Sequence, residues 1–161
     1  MNSNKEYKYR AFITYAHKDE DKAQWLRKKL EDFKVPKHLV GENSPYGPIP
    51  ARLYPIFRDR DELAGAAQLG PLIEQALEDS SHLIILCSPH AVQSRWVNEE
   101  IRMFKAMGKQ NRVLCLILSG EPMAEDVKGD SENECIPLAA RRQVSEDGQI
   151  TEQKHEPAAA D

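Results

Sequence analysis

Trp96 and Glu100 stand four residues apart in the segment SRWVNEEIRMF, whose apolar residues recur at helical spacing. On a helix that spacing makes the indole and the carboxylate neighbours on one face. The face is turned by about 100° from the apolar stripe Val97, Ile101 and Phe104, which predicts Glu100 at the edge of the core, partly shielded from water. Partial burial raises a carboxylate's pKa and strengthens its field on a bound cation. Glu99 points elsewhere, toward Arg95 and Arg102, as a solvated partner of those charges. By spacing alone, the commoner reading of the pair is an ordinary surface carboxylate with a tryptophan nearby.

Other residues with chemical potential read more simply. Asp59, Asp61 and Glu62 form an acidic cluster that alternates with Arg58 and Arg60. A solvated charge run is the favoured reading, with a metal or ligand loop as the alternative; the calcium-loop spacing is missing. Neither G-x-x-x-x-G-K nor G-x-G-x-x-G occurs. Cys87 and His90 read as a core cysteine and a surface histidine, because Cys87 ends an apolar run and a second Cys-His pair is lacking. Ser88 has no G-x-S-x-G elbow around it. No metal is expected.

The elements that must position these groups follow from periodicity. Tyr9 to Tyr15 is a short β-branched and aromatic strand, and a helix runs from Asp19 to about Phe33 with Ala23, Leu26, Leu30 and Phe33 on one face. Lys37 to Arg52 is a long Pro/Gly-rich loop, functional or mobile. Leu53 to Phe57 is a strand whose Pro55 suggests a sheet edge. After the charged loop, Leu69, Leu72, Ile73, Ala76 and Leu77 trace a helical face. His82 to Cys87 and Arg112 to Leu118 are unalternated apolar runs, the pattern of parallel strands covered on both faces. Between them Ser94 caps a helix that Gly108 closes. A last short strand is expected within Cys135 to Ala140, and Gln149 to Asp161 reads as a tail.

The order β-α-β-α-β-α-β predicts an α/β fold with a doubly wound parallel sheet. Ligands of such sheets bind beyond the carboxyl ends of the strands, where Tyr15-Ala16-His17, Phe57 to Gly65, Ser88-Pro89 and Ser119-Gly120 fall. A phospho-acceptor receiver domain shares this order but needs acidic residues where this chain has Ala16-His17 and Cys87-Ser88, so that reading fails.

Composition bounds the partners. The 161 residues fit one domain, and 22 Lys plus Arg against 26 Asp plus Glu give a formal net charge of -4. That balance offers no electrostatic case for nucleic acid. No apolar run approaches a membrane span, and the N-terminus lacks a signal-peptide core. The three cysteines are odd in number and two sit in apolar runs, which makes a reducing, cytoplasmic compartment the expectation.

Taken in order, four stretches resemble a bacterial Toll/interleukin-1 receptor (TIR) domain: AFITYAHKDEDKAQWLRKKLE, IFRDRDEL-AG, IEQALEDSSHLIILCSPHAVQSRWVNEEI and RVLCLIL. The resemblance spans most of residues 9 to 120 and implies a flavodoxin-like sheet. It divides the chain into an N-terminal tail 1–8, a TIR domain 9–145 and a polar tail or linker 146–161. Many TIR domains cleave the nicotinamide–ribose bond of NAD⁺ with a glutamate four residues after a tryptophan. That motif maps onto Trp96 and Glu100, so the resemblance implies that Glu100 is catalytic. It further implies Tyr15, Ala16, His17, Phe57, Asp59, Leu63, Ser88 and Trp96 around the nucleotide, with NAD⁺ as substrate and no cofactor.

The same resemblance implies activation by self-association, with Arg58, Arg60, Asp61, Glu62 and Gly65 in the contact loop, a place in bacterial immune defence, and a sensor or repeat domain on a longer chain. Two features depart from some family members: Leu63-Ala64-Gly65 is one residue tighter than L-x-x-G, and Ala16-His17 replaces basic residues. A non-catalytic TIR scaffold module is the competing expectation, and a nucleoside deoxyribosyltransferase-like enzyme the third.

Overall fold

The computed structural model describes residues 6–58 and 69–161. In chain order the elements are β1 (Tyr9–Thr14), α1 (Glu20–Asp32), the hairpin β2 (Asn43–Ser44) and β3 (Gly47–Pro48), β4 (Ile56–Arg58), α2 (Leu69–Glu78), β5 (Ser80–Cys87), α3 (Pro89–Gln93), α4 (Arg95–Phe104), β6 (Val113–Ile117), α5 (Ala124–Lys128), α6 (Leu138–Arg141), β7 (Arg142–Val144), β8 (Ile150–Lys154) and β9 (Ala158–Ala160).

Five strands form one parallel sheet in the order β4-β1-β5-β6-β9. β1 holds the centre of the apolar architecture. Phe12 faces the layer of α2, α3 and α4, where it joins Phe57, Leu77, Leu83, Ile85, Val97, Ile101 and Phe104. Ile13 faces α1 with Ala11, Ala23, Ile56 and Leu86. Side chains of a strand alternate between faces, so each apolar run serves both layers. The expected doubly wound sheet is therefore the fold observed.

Local signals explain most boundaries. Ser94 accepts the Val97 amide at 3.3 Å and starts α4. Ser88 accepts the Ala91 amide at 3.1 Å and starts α3, with Pro89 in the first helical position; the sequence reading had no separate helix there. Gly108 takes φ +82° where the helix after Phe104 ends. Pro55 lies just outside β4, which is the sheet's edge strand and only three residues long. Phe33, expected on the core face of α1, is instead exposed beyond its end.

The long loop after α1 is folded. Its hairpin carries Tyr46 onto the His82 ring at 4.7 Å and under the Arg112 guanidinium at 4.7 Å. Those partners start β5 and β6, so the loop seals the amino-terminal end of the sheet, away from the ligand end.

The largest difference from expectation is at the carboxyl-terminal part. Cys135 and Ile136 are buried, but Leu138–Arg141 is helical and not a strand. Residues 150–154 and 158–160, within the stretch expected as a polar tail, form β8 and β9. The cause is a set of long-range polar contacts that periodicity cannot show. Lys105, fully buried, donates to the Ala140 and Arg142 carbonyls at 3.0 and 2.9 Å and shares a proton with His155 Nδ1 at 2.7 Å. Arg102 donates to the Gly148 carbonyl at 3.0 Å.

Candidate active site

The two layers of helices cover opposite faces of the sheet, and topology places a crevice where their connections diverge. From β1 the chain crosses to β4 through α1 on one face; from β5 it leaves through α3 and α4 on the other. Neighbouring strands whose connections depart to opposite faces make a topological switch point, the usual ligand position of an open α/β sheet. Here it lies between the carboxyl ends of β1 and β5.

Glu100 lies on α4 and has 0% exposure. It is thus buried, beyond the core-edge position expected from spacing. Trp96, one turn earlier, is 51% exposed. The pair forms a gradient: an indole at the rim and a carboxylate inside. Glu99 does what its position predicts, pairing with Arg102 at 2.6 Å, and that hydrogen bond holds its pKa below the ordinary carboxylate value.

Thr14 ends β1 on the same side as Phe12, facing the α4 layer. It is fully buried, and its hydroxyl has no hydrogen-bond partner among the described residues. Thr14 at the carboxyl end of β1 and Glu100 on α4 are thus both fully buried polar side chains. A buried carboxylate acts on a neighbouring cation through a lower effective dielectric than water provides.

Across the switch point, Ser88 and Asp19 meet. Ser88 is fully buried. Its Oγ accepts the Ala91 amide, so its one proton goes to Asp19 Oδ2, 2.6 Å away. Asp19 occupies the N-cap position of α1 yet makes no cap hydrogen bond to that helix. A side-chain cap contributes about 1 kcal/mol; this aspartate spends its acceptor on the neighbouring loop instead.

The expected site residues distribute unevenly. Ala16 is buried and His17 exposed in a 3-10 turn at the crevice. Tyr15 is buried among the residues facing α1, on the other side of the sheet from the Glu100 layer. Phe57 is a core ring stacked on Phe12 at 4.9 Å. Ser88 reaches the crevice with its hydroxyl already committed. Arg58, expected in the contact loop, is buried at the end of β4 in a cleft lined by Gln24, Arg27, Lys28, Glu31 and Asp32 on the α1 side. Asp59, Arg60, Asp61, Glu62, Leu63 and Gly65 lie outside the described residues. Sequence reasoning missed Thr14, which reads as any strand residue, and Asp19, which reads as the first residue of a helix. Among the described residues no group of His, Cys, Asp or Glu could hold a metal, and no helix is long and apolar enough to cross a membrane.

The loop after β6 closes one side of the site. Gly120, at φ +88°, comes so close to Pro89 that an added Cβ would stand 3.2 Å from its Cδ. Behind it Glu134, fully buried, accepts four backbone amides, those of Met123, Glu125, Cys135 and Ile136, at 2.9–3.2 Å. Arg141, also buried, ties Glu134, Asp126 and Glu125 together at 3.5, 2.9 and 2.8 Å. The hydrogen bond from Arg142 and the nearby Arg141 charge pull the Asp126 pKa down to about 2.

A profile for the TIR domain matches residues 11–148. The chain belongs to the TIR domain family. This TIR domain is 30% identical over 138 residues to the NAD(+) hydrolase ApTIR of an Actinoplanes species, a match that covers 83% of this chain and 18% of that protein. It thus spans less than a fifth of the length of that relative. Its fold is also that of the TIR domains in the activated Roq1 resistosome that directly recognises the pathogen effector XopQ, with a TM-score of 0.52, 16% identity, and coverage of 72% of this chain and 61% of that one.

Proposed function

We propose that this TIR domain cleaves the bond between nicotinamide and ribose in NAD⁺, with Glu100 as the catalytic residue. The observation that supports the reading is a fully buried carboxylate in a W-x-x-x-E helix, on the helix that packs against β1. The likeness to an NAD(+) hydrolase supports it.

The chemistry suits one carboxylate. Nicotinamide leaves from NAD⁺ as a neutral molecule, taking the electron pair of the C1′–N bond, so it needs no proton. The ribosyl group becomes an oxocarbenium-like cation, as in glycoside hydrolysis. Glu100 orients the ribose and stabilises the developing charge. Attack by water at C1′, with loss of a proton, gives ADP-ribose; attack by a nitrogen of the same nucleotide's adenine gives a cyclic form. Trp96 supplies a flat apolar wall at the rim. Self-association, through the segment after Arg58, raises local concentration and switches the domain on.

A charge about 4 Å from the reacting carbon, at an effective dielectric of about 20, contributes about 4 kcal/mol, or about a thousandfold in rate. The test is chromatography of NAD⁺ products with the protein clustered at high local concentration. The wild type should release nicotinamide with ADP-ribose or its cyclic form, and Glu100→Ala should lose about a thousandfold. Equal NAD⁺ loss in both would refute the assignment.

A further inference from the structure

We infer that Asp19 is a positioning residue of this site: through its bridge to Ser88 it sets the width of the crevice that receives the nucleotide. The inference rests on the NAD⁺ reading and adds to it a residue from the opposite helical layer.

Three observations carry it. First, the bridge spans the switch point itself. Asp19 follows β1 on the α1 side; Ser88 follows β5 on the α3 side; their oxygens are 2.6 Å apart. β1 and β5 are adjacent parallel strands, with Thr14 paired to Ile85. Their backbones already fix the strands, so the bridge holds only what lies beyond them: the turn Ala16–Asp19 and the start of α3. Second, the direction of the bond is determined. Ser88 Oγ accepts the Ala91 amide, so its single proton points at Asp19, and a fully buried hydroxyl cannot turn to water instead. Third, Asp19 closes the 3-10 turn His17–Asp19 at φ -99° and ψ 13° and makes no side-chain hydrogen bond to α1, so its side chain is turned from its own helix to the neighbouring loop.

The consequence is specific. Cutting the bridge leaves both strands and Glu100 in place but frees the two loops to spread, so substrate binding suffers more than the chemical step. Asp19→Ser separates this role from a structural one. Serine keeps a small polar side chain at the turn, but it is too short to reach Ser88.

In the clustered full chain, with NAD⁺ as the probe, Asp19→Ser and Ser88→Ala should each raise KM about tenfold while kcat stays within about twofold. Asp19→Ser should lower the melting temperature by about 2–12 °C, because it leaves the buried Ser88 hydroxyl without its acceptor. Ser88→Thr, which retains the hydroxyl, should restore KM to within about threefold of wild type. The double variant Asp19→Ser/Ser88→Ala should be no worse than the worse single variant, because both remove one interaction. Unchanged KM in Asp19→Ser, or additive effects in the double variant, would overturn the inference while leaving the NAD⁺ activity standing. A wild type that releases no nicotinamide would end both.

Discussion

Glu134→Gln tests the brace behind the site. Oε2 of Glu134 accepts the amides of Met123, Cys135 and Ile136 at 2.9, 3.0 and 3.1 Å, and Oε1 accepts that of Glu125 at 3.2 Å. The same Oε1 stands 3.5 Å from Arg141 Nε. Glutamine keeps the size and one oxygen. With that oxygen in the three-amide position, its NH₂ group must face the Glu125 amide and the Arg141 guanidinium, donor against donor. The loss of one charge-assisted hydrogen bond is about 1.5–3 kcal/mol, and a buried donor left without an acceptor adds about 1–3 kcal/mol. The sum, about 2.5–6 kcal/mol, is narrowed to about 3–5 kcal/mol by what removing one partner of a buried ion pair ordinarily costs. For a chain of this size it lowers the melting temperature by about 6–20 °C. Urea unfolding should show a lower midpoint at unchanged slope, since native compactness is not the target. A loss under about 1 kcal/mol would show that the loop after β6 is held by its apolar contacts and that the carboxylate is dispensable.

Two further outcomes follow from the same geometry. Gly120→Ala would place a Cβ 2.7 Å from the Asn133 carbonyl oxygen and 2.8 Å from the Cys135 Cβ at φ +88°; thermal unfolding should report a loss of about 2–4 kcal/mol, and an unchanged transition would contradict the close approach. His82 has its pKa lowered to about 4 by burial and then by the Arg112 and Lys109 charges. Between the ordinary 6.5 and about 4 the unfolded chain takes up a proton that the native ring refuses, so stability falls with acid across that window. Urea midpoints measured down the window should fall less for His82→Gln than for the wild type, and parallel lines would exclude the histidine as the cause.

The architecture was readable wherever burial alone decides the residue type. β1 and the carboxyl-terminal half of β5 are apolar runs because both sheet faces are covered there; β6 is as apolar although Leu114 is exposed on the α1 side. Ser94 announced α4 because an N-cap acts within one turn. Trp96 and Glu100 were legible as a pair for the same local reason; the depth of Glu100 was not, since it depends on what packs over α4, which a helical wheel does not contain. The features that escaped are all long-range and polar. Asp19 reaches Ser88, Glu134 collects amides from both ends of a loop, and Lys105 fastens His155, each across a separation with no period to betray it. The same blindness turned β8 and β9 into an expected tail: three alanines carry no alternation, and only the neighbouring β6 edge makes them a strand.

The strand order carries a consequence for how the chain is made. β1 lies between β4 and β5, so neither of its partners exists when it leaves the ribosome. Phe12 and Ile13, both fully buried in the fold, wait unpaired through the synthesis of α1 and the hairpin, and after β4 their strand still keeps one bare edge through α2. Until Cys87 has emerged, the nascent chain shows two bare strand edges, the condition under which parallel-sheet proteins fold slowly and aggregate. The polar, lysine-rich α1 follows immediately and can shelter one face of that strand alone. Holding factors that bind short apolar stretches should therefore engage this chain early, at FIT, and release it once SSHLIILC completes the central pair.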